Sequence, residues 1–389
     1  MIHCQRELFS LPEGARYLNC AFMSPLLHTV KNAGIQGLNN KKTPYLVKVE
    51  DFFEPAERLR EAFSAIINCP DPGQIAIIPS VSYGMANVAK NMNIPDNAEI
   101  VIAGEQFPSN MYPWFRLAKE QHAAIKIIQP PDTFTGRGNT WNQQILDAIN
   151  PNTALVALSH CHWADGTLFD LKNIRSKTRE ADAALIIDGT QSVGALPFDV
   201  QEIEPDALVC AGYKWLMGPY SIGLAYYGDR FNNGTPIEEN WINRLNSEDF
   251  AGLVDYEEKY QKGALRYEVG EHSNFILVPM MLAALNQIQT WGVQSIQEYC
   301  RDISQTAIDR LREAGFWIED ENFRGSHLFG IRFPRGIDIN LIEKDLESRR
   351  IYVSVRGTSI RVAPHLYNTT DDFDILSEVL LNSVLNLKT

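Results

Sequence analysis

The sequence predicts an α/β protein with a mostly parallel seven-stranded sheet, helices on both faces of that sheet, and a smaller C-terminal α+β domain. Three observations predict this architecture. At 389 residues the chain is longer than one hydrophobic core usually grows, so two domains are expected. Seven short β-rich apolar runs lie between residues 74 and 228, and helical segments separate several of them. The last third of the chain mixes long helical patterns with short strands.

Most of the seven apolar runs are too continuously apolar to have one face in water, so they are predicted to be central strands. They occupy residues 74–78, 99–103, 124–128, 154–158, 184–188, 207–211 and 222–227. Helices are predicted between several of them, at 83–92, 108–121 and 171–181. In parallel sheets ligands gather outside the carboxyl ends of the strands, so the polar residues that follow these runs are candidates for a site.

The C-terminal third predicts a separate, smaller domain. Its helical patterns cover residues 275–291, 293–314 and 370–385, and its strands are predicted at 326–333, 351–355 and 359–362. We place the border near Tyr256. The predicted large domain is therefore 15–255, and the predicted small domain is 256–389 together with residues 1–14.

Composition excludes some partners and predicts a location. The formal charge of −13 and the pI near 5.1 argue against nucleic acid, because its binders cluster Lys and Arg. No apolar run approaches the roughly 20 residues of a membrane helix, so no membrane partner is predicted. The six cysteines show no C-x-x-C spacing, and the first residues lack the apolar run of a signal peptide. The cysteines are therefore predicted to be reduced thiols, and the protein is predicted to be cytoplasmic.

Lys214 and Asp188 are the two residues that point most directly to a chemistry. Lys214 lies just past the run at 207–211, and Asp188 ends the run at 184–188. A lysine and a carboxylate at neighbouring strand ends can form a Schiff base with an aldehyde cofactor and keep its ring protonated. The pair predicts pyridoxal phosphate, with both residues catalytic. Taken singly, Asp188 is more simply explained as a helix cap, and Lys214 as a solvated surface lysine.

Further cofactor contacts are predicted around this pair. Gln191 could donate to the phenolic oxygen of the ring, and Tyr213 could reach the phosphate through its hydroxyl. Val81 and Ser82 begin a helix, where free N–H groups bind anions, so they are phosphate candidates. Phe107 follows the second strand and could stack on the ring. For the start of this helix the alternative is ordinary N-capping by a serine, and for Phe107 the alternative is an ordinary core aromatic.

A short segment after the fourth strand offers a rival chemistry. His160, Cys161, His162 and Asp165 could bind zinc, but the other histidines show no H-x-x-H or H-E-x-x-H spacing. Lining of the cofactor is favoured over a metal, with Trp163 or His162 at the edge of the ring. We therefore predict no metal ion.

Two arginines near the C-terminus are candidates for the substrate. Arg361 interrupts an otherwise apolar strand, and the planar fork of a guanidinium matches a carboxylate in two hydrogen bonds. Arg361 is thus predicted to bind the α-carboxylate of an amino acid, and Arg356 is the second choice. A structural salt bridge is the alternative for Arg361.

These segments together resemble the class V aminotransferases, a family with the type I pyridoxal phosphate fold that includes cysteine desulfurases, kynureninases and isopenicillin N epimerase-like proteins. The resemblance spans nearly the whole chain and rests on six segments in order: residues 17–21, 107–110, 188–191, 212–214, 266–274 and 359–361. It implies a pyridoxal phosphate enzyme that binds an amino acid through a Schiff base, with transamination as the default. A lyase or epimerase of the same fold, or a non-catalytic cofactor-binding protein, are the alternatives.

The resemblance also implies a homodimer whose active sites lie at the subunit interface. In the family, the segment that matches residues 270–274 reaches the cofactor phosphate of the other subunit, so His272 or Ser273 is predicted as a ligand there. The chain departs from the desulfurases because residues 323–361 contain no cysteine. Sulfur abstraction by the desulfurase route is therefore not expected.

Overall fold

The structure is a computed structural model, and it describes residues 2–334, 337, 339–357 and 359–385. Its strands are β1 (Arg16–Tyr17), β2 (Ile75–Ile78), β3 (Glu99–Ala103), β4 (Ala124–Ile128), β5 (Thr153–Ser159), β6 (Ala184–Asp188), β7 (Ala207–Ala211), β8 (Gly223–Tyr227), β9 (Phe329–Arg332), β10 (Ile351–Tyr352), β11 (Ser354–Arg356) and β12 (Ser359–Val362). Its α-helices are α1 (His28–Asn40), α2 (Glu54–Ile66), α3 (Val81–Asn91), α4 (Tyr112–Glu120), α5 (Arg137–Ala148), α6 (Leu171–Glu180), α7 (Val200–Ile203), α8 (Leu277–Trp291), α9 (Val293–Glu313), α10 (Ile339–Ser348) and α11 (Thr370–Leu385).

The seven predicted central strands form one sheet in the order β2-β8-β7-β6-β5-β3-β4. Neighbouring strands from β7 to β4 run parallel, whereas β8 pairs antiparallel with both β7 and β2. The mostly parallel seven-stranded sheet is therefore confirmed. In the register, Ser159 lies opposite Asp188 and Asp188 lies opposite Val209, which brings the ends of β5, β6 and β7 together.

Both faces of this sheet are buried except along the edge strand β4, which explains why the other six strands have no polar face. Alternate residues of each strand enter different cores, as Val156 and Leu158 pack on one face while Leu155 and Ala157 pack on the other. Helices α3 and α4 cover the second face, and α2, α6 and α8 contribute to the first. Side chains two residues apart point to the same side of a strand, so each strand contributes to both cores. Because helices pack against each core, the prediction of helices on both faces is confirmed.

The C-terminal third contains a three-stranded antiparallel sheet in the order β11-β12-β9. The single strand predicted at 351–355 is instead two short strands. The first of these, β10, pairs with β1, and the second, β11, pairs with β12, so the chain changes partner at Val353. The N-terminal segment bonds to this part of the chain, with Leu18 donating to Tyr352 O and Cys20 to Ala363 O.

The division into domains at 15–255 and 256–389 stays a prediction, and its last four residues lie outside the described residues. No helix in the described ranges has the length and apolar character to cross a bilayer. All six cysteines are free, and five of them are buried.

Candidate active site

A cavity of about 330 Å³ lies at the carboxyl ends of β3, β5, β6 and β7, where polar residues follow the buried strands. The structure brings eight of the predicted site residues to its wall: Val81, Ser82, Phe107, Trp163, Asp188, Gln191, Tyr213 and Lys214. The other four predicted residues, Arg356, Arg361, His272 and Ser273, are not part of that wall. The topology therefore collects most of the candidates in one place.

Lys214 is a buried lysine in this wall, with only 7% of its surface exposed. Its Nζ lies 5.5 Å from the ring centre of Phe107 and 5.5 Å from that of Tyr213. Burial, and then the charge of Arg361, lower the pKa of Lys214 to about 8, while Asp188 acts in the opposite direction. A lysine with such a pKa supplies the neutral amine that a nucleophile needs near neutral pH.

The carboxylate of Asp188 is held at the end of β6. Its Oδ1 accepts from the backbone N–H of Thr190 at 2.9 Å, and burial raises its pKa despite those bonds and the charge of Lys214. Gly189 makes this turn possible, because a Cβ there would meet side-chain atoms of Leu208 and Cys210 within 2.8 Å. A buried carboxylate of this kind gains most from a cationic partner.

Gln191 lines the cavity, but its side-chain amide is already bonded. Its Nε2 donates to Ala21 O at 3.1 Å, and its Oε1 accepts from Trp215 Nε1 at 2.9 Å. Because a side-chain NH2 has two hydrogens, the bond to Ala21 leaves one donor of Nε2 for a ring oxygen. In this structure Gln191 ties the strand end to the N-terminal segment and to the residue after Lys214.

The start of α3 supplies free backbone donors at the cavity. Ser80 is the N-cap, and its hydroxyl accepts from the N–H of Tyr83 at 3.2 Å. The N–H groups of Val81 and Ser82 belong to the first turn and so have no acceptor within the helix. Ser82 Oγ also donates to Ser109 Oγ at 3.1 Å. Free donors at a helix N-terminus favour an anion such as phosphate.

Trp163 and Phe107 form an aromatic corner of the cavity. Their rings meet edge to face at 5.7 Å, and Trp163 Nε1 donates to Glu105 O at 2.7 Å. Glu105 adopts a φ of 52°, which is unusual for a residue other than glycine. Because 44% of its surface is exposed, Phe107 presents an open aromatic surface. The corner could stack on a flat ring.

The residues of the alternative zinc site point in different directions. Ser159, Cys161 and Trp163 face the cavity, while His160 and His162 do not line it. The two ring nitrogens of His162 contact Asp165 and Glu105 O, and His160 packs on Phe198. Within the described part of the chain, no three His, Cys, Asp or Glu side chains are grouped closely enough to hold a metal ion.

Arg361 lies behind Trp163, with 1% of its surface exposed. Its Nη1 donates to Trp163 O at 2.8 Å, and its Nε is buried without a hydrogen-bond partner. Burial, and then the charge of Arg356, lower the pKa of Arg361 to about 9. Arg356 lies over the Trp163 ring at 5.2 Å. Both arginines therefore contact the residue that forms the edge of the cavity.

His272 and Ser273 lie away from this cavity. His272 is buried, with its Nδ1 2.9 Å from Glu268 Oε2, and Ser273 lines a separate pocket with Asn274 and Phe275. Glu268 also accepts from Arg60 at 2.8 Å. The structure of one chain thus does not bring either residue to the cavity that contains Lys214.

Sequence reasoning missed several residues of the cavity wall. Ser159 begins the segment considered for zinc but was not proposed as a site residue, and its Oγ is buried without a hydrogen-bond partner. Thr190 bonds to Asp188, and Tyr220 packs on Tyr213 at 4.5 Å. The signal for Ser159 and Thr190 was their position at the ends of β5 and β6. Tyr220 lies beyond the turn after Lys214, and no sequence signal identified it.

Known proteins have sequences similar to this chain. A family model described as aminotransferase class-V matches residues 45–373. The uncharacterized aminotransferase YcbU of Bacillus subtilis is 26% identical over 327 residues, covering 83% of this chain and 82% of that protein. A probable cysteine desulfurase of Methanothermobacter thermautotrophicus is 23% identical over 353 residues, covering 83% and 82%.

Solved structures share the fold over nearly the whole chain. A mutant of C-DES with glycine covalently linked to its PLP cofactor superimposes with a TM-score of 0.84 at 19% identity, covering 97% of this chain and 99% of that one. The cysteine desulfurase CsdA of Escherichia coli gives a TM-score of 0.80 at 18% identity, covering 98% of each chain.

Proposed function

Because the chain belongs to the class V aminotransferase family, we propose that it is a pyridoxal phosphate-dependent aminotransferase of amino acids, with Lys214 as its Schiff-base lysine. The observation that carries the proposal is a buried lysine and a buried carboxylate in one cavity, each at the end of a neighbouring strand. Neither charge has another evident reason to be buried there.

The residues of the cavity fit pyridoxal phosphate. The free N–H groups at the start of α3 suit the phosphate, and Phe107 offers a face for the ring. Asp188 is a buried acceptor for a protonated ring nitrogen. The buried Oγ of Ser159 lacks a partner that a polar cofactor could supply.

When bound, pyridoxal phosphate supplies an electron sink for bond breaking at the substrate Cα. In this proposal the Nζ of Lys214 would serve as the base for the Cα proton, and its lowered pKa suits that task. Asp188 holds the proton on the ring nitrogen, and Tyr213 and Ser82 hold the phosphate. Arg361 receives the α-carboxylate, for which its buried and unpaired Nε supports a role as donor.

Transamination and lyase reactions begin in the same way. The residues of this chain favour transamination over the lyase route that desulfurases use. A desulfurase uses a mobile cysteine shortly before its carboxylate-binding arginine, and residues 323–361 contain none. Persulfide formation by that route is therefore not part of the proposal.

We also propose that the protein is a homodimer whose active sites are shared between the two subunits. His272 and Ser273 remain proposed ligands of the other subunit's phosphate, and their distance from the cavity of their own chain supports such a use. A cytoplasmic location, predicted from the cysteines and the N-terminal residues, is likewise retained as a proposal.

The experiment that tests the proposal is a visible spectrum of the purified protein before and after borohydride. We expect a yellow band that borohydride removes, leaving a reduced adduct on the peptide that contains Lys214, detected by mass spectrometry. The Lys214→Ala protein should show no adduct. A panel of amino acids with a keto acid acceptor then separates transamination, which gives a new amino acid, from lyase activity, which releases ammonia.

Absence of both the band and the adduct after incubation with pyridoxal phosphate would exclude the cofactor. An adduct on a lysine other than Lys214 would exclude the assigned residue while leaving the cofactor in place. Ammonia release without amino transfer would replace the aminotransferase with a lyase.

A further inference from the structure

Arg356 and Arg361 point to the same side of the hairpin made by β11 and β12. In its antiparallel register Ser354 lies opposite Arg361, and Arg356 lies opposite Ser359. Residues directly opposite each other, and residues two apart on a strand, share one face. The two arginines are therefore diagonal neighbours on one face, a relation that separates such residues by about 7 to 8 Å.

This face of the hairpin meets Trp163, which belongs to the cavity wall. The Nη1 of Arg361 holds the backbone oxygen of Trp163, and the guanidinium of Arg356 lies over its indole ring at 5.2 Å. A cation over an aromatic ring keeps a defined position. Both guanidinium groups are thus fixed at the side of the cavity where Trp163 and Phe107 meet.

Neither arginine has an acidic partner in the described part of the chain. No Asp or Glu oxygen described here lies within 4.0 Å of them, and the Nε of each is buried without a hydrogen bond. Two other buried arginines have acidic partners, Arg137 with Asp165 at 3.0 Å and Arg60 with Glu268 at 2.8 Å, whereas the buried Arg324 donates to backbone oxygens. A buried charge is ordinarily paired, so the buried Arg361, with the half-buried Arg356 beside it, favours an anion that comes from outside.

The charge around the cavity is consistent with this conclusion. The charges of Arg361 and Arg356 both lower the pKa of Lys214, and Arg356 also lowers that of Arg361. Asp188, and after it Cys20, act on the pKa of Lys214 in the opposite direction. A ligand with two negative groups would relieve this mutual repulsion more fully than one carboxylate.

We infer that Arg356 binds a second anionic group of the substrate, so that the preferred substrate is an amino acid with an acidic side chain. The inference rests on the proposed function, in which Arg361 binds the α-carboxylate. The diagonal spacing of the two arginines suits two separate carboxylates of one dicarboxylic amino acid. A single carboxylate shared by both would need them closer together.

The test compares pairs of amino acids that have the same shape and differ in charge. The holoprotein is titrated with glutamate and glutamine, and with aspartate and asparagine, while the shift of its visible band gives an apparent Kd for each. We expect the acid to bind about 10- to 100-fold more tightly than its amide, as charged hydrogen bonds do. In Arg356→Gln the preference should fall to about threefold or less.

The preference is a ratio within one preparation, so partial misfolding of a variant cancels from it. Arg349→Gln is the matched control, because Arg349 bonds to Glu378 on the surface, and this variant should keep the preference. Equal binding of acids and amides by the parent protein would overturn the inference. So would an Arg356→Gln protein that binds both members of a pair more weakly by the same factor, because Arg356 would then serve the α-carboxylate.

The two proposals fail differently. If the band and the adduct on Lys214 do not form, the proposed function is wrong and the titration has no signal. If they form and the acidic amino acids show no advantage, only the role of Arg356 is wrong.

Discussion

At the scale of single residues, the amine of Lys214 should titrate well below an ordinary lysine. Burial and the charge of Arg361 set its pKa at about 8. We expect the rate at which an amine reagent modifies Lys214 in the cofactor-free protein to rise with pH and to reach half its maximum near pH 8. Mass spectrometry of the peptide that contains Lys214, after short exposure to the reagent at a series of pH values, measures this rate.

Two substitutions with opposite effects control that measurement. Arg361→Gln removes a repelling charge, so the midpoint should move to higher pH. Asp188→Asn removes an attracting charge, so the midpoint should move to lower pH. A midpoint near pH 10.5 in the parent protein, or the same midpoint in all three proteins, would contradict the electrostatic account.

The residues that sequence reasoning found share a property that those it missed lack. Lys214, Asp188 and Phe107 are chemically distinctive and follow strands that are easy to identify. Ser159 and Thr190 are common polar residues, and what makes them notable is burial beside the cavity, which depends on the packing of separate strands. The bonding of Gln191 to Ala21 and Trp215 likewise depends on tertiary contacts.

At the scale of elements, the central strands could be predicted because their burial on both faces demands continuous apolar sequence. The predicted runs at 99–103, 184–188 and 207–211 have the same bounds in the structure. No prediction covered residues 28–66, which form α1 and α2. In α1, Gly34 and Gly37 weaken the helical pattern, and a Cβ on Gly37 would meet Phe275 O at 2.3 Å. That helix owes its place to packing, whereas α2 has an amphipathic pattern that could have been used.

The loop between β5 and α6 is the element that joins the cavity to the C-terminal sheet. Asp165 at its centre is buried, contacts Arg137 at 3.0 Å and Arg332 at 3.7 Å, and accepts from the N–H of Gly330 through its backbone. Its carboxylate also contacts His162, whose other nitrogen meets Glu105 O. His162 therefore lies between two hydrogen-bond acceptors, the Asp165 carboxylate and Glu105 O.

Asp165→Asn should therefore be strongly destabilising. The change leaves Arg137 buried without its counter-charge, and breaking a buried pair in this way costs about 3 to 5 kcal/mol. Urea unfolding followed by tryptophan fluorescence measures the loss. Glu120→Gln, which removes the exposed partner of Arg116, is the matched control and should change the free energy of unfolding far less. Similar losses in the two variants would show that Asp165 does not hold the loop.

At the scale of the whole molecule, three histidines lie where the N-terminal segment, the central sheet and the C-terminal third meet; His327 and His365 are buried, and His160 is half-buried. His327 contacts Gln191 O at 2.8 Å, and His365 is enclosed by aromatic rings, with neither of its nitrogens bonded. His160 packs on Phe198. Burial lowers the pKa of His327 to about 4, and those of His160 and His365 to about 3.

These histidines should make the protein lose stability in mild acid. Unfolding returns each pKa to about 6.5, so below that pH the unfolded chain binds more protons, and the free energy of unfolding falls as the pH drops toward about 4. Each ring contributes up to about 1.4 kcal/mol per pH unit in this window. Urea unfolding at pH 7, 6 and 5 measures the slope.

His365→Phe keeps the ring packing and leaves no bond unmade. It should reduce the histidine contribution to the slope by about a third, because one of three groups is removed. His3→Phe changes an exposed histidine and should leave the slope as it is; equal slopes in the parent and His365→Phe proteins would mean that His365 takes up no additional proton when the chain unfolds.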